Sequence, residues 1–109
     1  MSVSKRFREK KLTVSFYVTR EAAQNAQQID LLCEHNGWEP VALKPQKNGA
    51  FRGSITIERT GQPSYQYRFK LTMPDGSQKF DNDWNADDYV SNPYGGENSI
   101  FYASEASEA

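Results

Sequence analysis

Two tryptophans stand where a ring does something other than fill a core. Trp38 lies in Gly37-Trp38-Glu39-Pro40 and Trp84 in Asp83-Trp84-Asn85, both flanked by polar turn formers instead of an apolar alternation. Loops run over the surface, so these indoles are expected to be partly exposed. A flat exposed ring stacks on the C–H-rich face of a sugar, while neighbouring Asn, Gln, Asp and Arg groups bond the hydroxyls. The competing reading is that each indole lids one end of the fold. Arg68 and Lys70 are two apart in an alternating stretch, so they share the polar side of a strand, as ligand donors or as a solvated face.

Other chemistry is poorly supplied. One histidine (His35) and one cysteine (Cys33) exclude zinc-finger frameworks and leave no nucleophile–base triad. Cys33 sits beside leucines, the setting of a small core filler, and a lone thiol suits a reducing cytoplasm. Asp81, Asp83 and Asn85 match the first oxygen ligands of a calcium loop, but Ala86 and Asn92 stand where glycine and glutamate are needed. Gly95-Gly96 precedes no lysine or helix start, so it is no phosphate loop. Asp87 and Asp88 are adjacent and face apart, which is no acid–base pair. No catalytic residue, metal ligand or cofactor is assigned. The net charge of -1 provides no field for nucleic acid or anionic lipid. No apolar run approaches the roughly 20 residues of a membrane span, and none reads as a secretory leader.

The elements that must hold these residues are strands. One hundred and nine residues make one domain, rich in rings with six Tyr, six Phe and two Trp. Apolar and polar residues alternate over 12–18, 51–58 and 65–72, and shorter strands are expected at 29–34, 41–43, 78–80 and 99–102. An Ala/Gln-rich connection at 20–28 has no apolar stripe and room for at most a short helix. Asn36-Gly37 and Pro74-Asp75-Gly76 mark turns, the second closing a hairpin. Residues 81–98 read as one long functional loop. About seven short strands make an all-β, immunoglobulin-like antiparallel sandwich over 12–102. A mobile basic arm is expected at 1–11 and an acidic disordered tail at 103–109.

The order of motifs resembles the isoamylase N-terminal (early-set) domain family. These are carbohydrate-binding modules related to the glycogen-binding domain of AMP-activated kinase β subunits, and the likeness is greatest to small stand-alone bacterial members. The resemblance rests on HNGW at a turn, YQYRFKL in a strand, the MPDGS hairpin and the ending NDWNADDYVSNPYGGENSIFY. It implies that Trp38 is a sugar-stacking ring, that Arg68 bonds hydroxyls and that Asn98 contacts glucose. The second stacking tryptophan of the kinase-type domain falls at Gln78; Trp84, a few residues on, is taken to replace it. The implied function is non-catalytic, cytoplasmic binding of α-glucan such as glycogen or maltooligosaccharide, with a glycogen-metabolising enzyme as a further partner. The rival is a protein-interaction or regulatory module in which the same aromatics anchor an interface.

Overall fold

The alternating apolar residues of 12–18, 51–57 and 65–71 turn inward, and around them the chain builds two antiparallel sheets. This computed structural model describes residues 2–83, 85–93 and 96–103. Among them ten strands follow in order: β1 (Ser2–Phe7), β2 (Lys11–Val18), β3 (Gln28–Cys33), β4 (Val41–Ala42), β5 (Lys44–Pro45), β6 (Phe51–Glu58), β7 (Ser64–Thr72), β8 (Gln78–Asp81), β9 (Asp88–Ser91) and β10 (Glu97–Tyr102). One sheet has the order β1-β2-β6-β5; the other runs β4-β3-β7-β10-β9, with β8 also on β7. The fold is the expected β-sandwich.

Facing rows of the two sheets close the core. Phe16 of β2 meets Tyr67, Phe69 and Phe101 from the opposite sheet edge-on, at centroid distances of 5.3, 6.1 and 6.3 Å. Burying one such ring contributes about 1.5–3 kcal/mol, so this cluster holds the sheets together more than any backbone ladder. Cys33 is buried among these apolar residues, and burial pushes its thiol up to about 12, as befits a filler.

The 20–28 connection contains a single helical turn, α1 (Arg20–Ala23), whose first turn is capped by Thr19 Oγ1 accepting from the Ala22 amide at 3.2 Å. The Pro-Asp-Gly hairpin forms as read: Gly76 N donates to Met73 O at 2.9 Å, and Asp75 accepts from the Ser77 amide and hydroxyl.

Two expectations need correction. The mobile arm at 1–11 is instead led by β1, paired in register along β2 from Ser2↔Tyr17 to Phe7↔Leu12. Val3 and Phe7 pack on the core. Lys5 occupies the same inward row, and its ammonium reaches the Asp87 carboxylate and the Tyr102 carbonyl across the sandwich edge. That lysine broke the apolar alternation in the sequence and hid the strand. The long loop at 81–98 is likewise interrupted by β9, which pairs with β10 from Glu97↔Ser91 to Ile100↔Asp88. Of the expected tail only Ala103 lies within the described residues.

Candidate functional site

Strand β3 ends at Cys33, and a 3-10 turn, Glu34–Asn36, carries the chain over the sheet edge to Gly37 and Trp38. Both are left-handed, with φ of 73° and 69°. Glycine takes this conformation freely; a bulky residue pays about 1–3 kcal/mol and stays only where its surroundings over-determine it. Here they do. Trp38 N donates to Cys33 O at 3.0 Å, Gly37 N to Glu34 O at 3.2 Å, and Asn36 Nδ2 to Glu39 O at 3.1 Å. Glu34 ties the turn to β7, its Oε1 accepting from the Gln66 amide at 2.9 Å and from Gln62 Nε2 at 3.3 Å. The outcome is an indole held 38% exposed beside the second sheet.

Beside that indole lies an open depression of about 400 Å³, lined by Trp38, Gln66, Arg68, Asn92, Pro93 and Asn98. The sheet register assembles it. Leu32 of β3 lies opposite Arg68, and Ser99 of β10 lies opposite Tyr67, which brings Asn98 alongside Arg68. Asn98 is 8% exposed; its Nδ2 donates to Gln66 Oε1 at 2.9 Å, and its Oδ1 accepts from Asn92 Nδ2 at 3.4 Å. The amides are therefore fixed before any ligand arrives.

The two cations of β7 differ. Lys70 Nζ is 3.9 Å from Asp30 Oδ2, whose carboxylate also accepts from Gln28 Nε2. Arg68 has no carboxylate partner among the described residues, and its guanidinium carbon stands 4.5 Å from the centroid of the Phe80 ring. The depression thus offers one flat ring, a cluster of amides and an uncommitted guanidinium. Such groups are chemically suited to stacking and hydrogen bonding with a polar ligand that has an apolar face.

Beneath the site face runs a buried polar network. Tyr67 O–H donates to Asp83 Oδ2 at 2.8 Å, and Asp83 N donates to Ser99 Oγ at 2.9 Å. Asn82 Nδ2 donates to Glu97 O at 2.7 Å. Burial, and then the Asp83 charge, drive the Tyr67 phenol well above its ordinary value.

Three residues singled out from sequence, Trp38, Arg68 and Asn98, converge on the depression. Trp84 lies outside the described residues. Gln78 is exposed on β8, in register with Thr72 and away from the depression. Gln66, Asn92 and Pro93 also line the depression and were not foreseen as site residues. Gln66 had a signal, since it stands two residues before Arg68 on the same strand and therefore on the same face.

No family model matches the chain, and no curated protein matches it. Among solved structures, it is similar to pullulanase type I from Bacillus subtilis str. 168, whose crystal structure is of a complex with maltose, with a TM-score of 0.59 and 14% identity. The match covers 96% of this chain and 14% of the pullulanase, so what the two share is the fold of one stretch of a much longer protein.

Proposed function

We propose that this chain is a non-catalytic, cytoplasmic α-glucan-binding module of the isoamylase N-terminal (early-set) kind. The observation that carries the reading is Trp38, an indole held out of the core by a left-handed backbone, beside an uncommitted Arg68 and the Asn98 amide cluster. A glucose ring stacks its C–H face on Trp38 while Arg68, Gln66 and Asn92 bond its hydroxyls. The structural neighbour adds support in kind, because maltose is an α-1,4-linked pair of glucose units. A glycogen-like polymer is the natural ligand under this reading, and a glycogen-metabolising enzyme its natural companion.

A site this open binds weakly, with Kd between about 1 μM and 1 mM, or roughly -8 to -4 kcal/mol. Maltoheptaose should quench tryptophan fluorescence, and amylose resin should retard the protein. Trp38→Ala should abolish both. A wild-type chain that ignores maltoheptaose at about 10 mM, well above that range, sinks the proposal; a stable protein partner in its place would restore the interaction-module reading.

A further inference from the structure

Strand β6 is fully paired along one edge and almost bare along the other. β2 pairs with it from Phe51 to Glu58, whereas β5 pairs only at Phe51 and Arg52. The chain leaves that edge at Leu43, whose amide donates to Ile29 O of the opposite sheet at 2.9 Å. The register says which backbone groups are left over. Arg59 N donates to Lys10 O at 2.9 Å, so odd-numbered residues of β6 bond toward β2. Even-numbered residues bond the other way: Gln46 N donates to Ala50 O at 2.7 Å, and Lys44 lies opposite Arg52. Past Arg52, the N–H and C=O groups of Ser54, Thr56 and Glu58 point to an edge with no strand on it among the described residues.

Such a row is a template for another strand, and proteins usually blunt it. The far edge of the same sheet is blunted, since β1 has Lys5 in its inward row. The open stretch of β6 has no proline, no break in its register with β2 and no inward charge. Its inward residues are Ile55 and Ile57, each 7% exposed and the least covered of the buried hydrophobic residues.

The stretch is complementary to itself. With two copies antiparallel and Thr56 opposite Thr56, Ser54 meets the second copy's Glu58 and Ile55 meets its Ile57. Every outward-facing backbone unit from Ser54 to Glu58 then finds a partner. Threonine faces threonine, a favoured cross-strand pair, and the isoleucines carry the core across the seam. Arg52 falls on the diagonal from the second copy's Glu58, about 7–8 Å away and within reach of a long side chain. Neither Arg52 nor Glu58 has an ion-pair partner among the described residues.

We infer that β6 pairs with β6 of a second copy of this chain, antiparallel about a two-fold axis at Thr56. The two β1-β2-β6-β5 sheets then join into one continuous sheet. The depression beside Trp38 is lined by none of these edge residues, so the inference is independent of glucan binding. The seam is shorter than a standard interface of about 800 Å² per partner, which sets the dimer Kd at about 10–100 μM.

Sedimentation of the wild type from about 5 to 500 μM should show a reversible monomer–dimer equilibrium. Thr56→Pro removes an N–H from the open edge and none from the β2 side, so it should fold and stay monomeric. Disulfide trapping reads the register. Paired Thr56 α-carbons lie about 5.5 Å apart, inside the roughly 4.4–6.8 Å that a disulfide spans, so Thr56→Cys should cross-link under mild oxidation. The two Ser54 positions are offset by about 13–14 Å along the strands, so Ser54→Cys should not. Cys33 is buried and common to both variants. A wild type that stays monomeric throughout, or a dimer that a folded Thr56→Pro leaves intact, would overturn the inference. So would trapping of Ser54→Cys as readily as Thr56→Cys, and this comparison decides the matter if Thr56→Pro fails to fold.

Discussion

The two outward faces of the sandwich carry similar parts and differ in how those parts are committed. Each has an arginine over an aromatic ring: Arg52 over Tyr17 at 5.3 Å on the first sheet, Arg68 over Phe80 at 4.5 Å on the second. Each has a depression, and the one on the first sheet is larger, about 590 Å³ against about 400 Å³. Yet the first face is lined by small hydroxyls, Ser2, Ser4, Ser15 and Ser54, around a half-buried Tyr17 whose hydroxyl already accepts from Asn48 Nδ2. The second face presents two half-open rings and amides already tied to one another, while neither Arg52 nor Arg68 has a carboxylate partner among the described residues. On the proposed reading, volume is not what marks the site; an exposed indole held on a left-handed backbone, beside amides already oriented, is.

The comparison is broken most directly at Trp38. Trp38→Asn keeps a residue that tolerates the left-handed backbone, so thermal stability should hold or rise while maltoheptaose affinity falls about 30-fold or more. Loss of binding together with loss of stability would place Trp38 in the fold and not in the site. Next is the support beneath the second sheet. Asp83→Ala leaves the buried Tyr67 hydroxyl without its acceptor and should cost about 2–3 kcal/mol, read by urea denaturation as a lowered midpoint with unchanged slope.

A matched pair of arginine truncations sharpens the contrast between faces. Arg68→Ala should weaken maltoheptaose about tenfold, and Arg52→Ala should change it less than about twofold, although each removes a guanidinium from a ring. Equal effects would mean that net charge, not position, is being read.

The smallest effect is one of pH. His35 sits in the turn that presents Trp38, and its Nδ1 is buried with no partner among the described residues. Burial holds the imidazole below its ordinary value of 6.5, so on acidification the unfolded chain takes up the proton first. Stability from this group is complete above about pH 6.5 and declines as pH falls below it. The melting temperature should drop modestly between about pH 7 and 5, and His35→Asn should flatten that portion of the profile.

Local physics was enough for much of this. Alternation alone identified the inward rows of β2, β6 and β7, because a strand has a period of two and one face must be buried. Asn36-Gly37 and Pro74-Asp75-Gly76 announced their turns through residues that accept positive φ or preset it. The polar context of Trp38 announced an exposed ring. Strand β1 was illegible because Lys5 stands in its inward row, and its partners there, the Asp87 carboxylate and the Tyr102 carbonyl, lie 82 and 97 residues away. β9 was illegible because a short edge strand shows its pairing partner and little else.

The opening pair of tryptophans ends unequal. Sequence by itself determined that Trp38 is a loop aromatic and that Arg68 faces outward from its strand, since each follows from immediate neighbours. Tertiary structure decided that Trp38, Arg68 and Asn98 share one depression, that Lys70 is bound to Asp30 while Arg68 is not, and that Arg68 lies over the Phe80 ring. Those outcomes depend on which residues the register sets side by side across β3, β7, β8 and β10, and register is a property of paired strands, not of one.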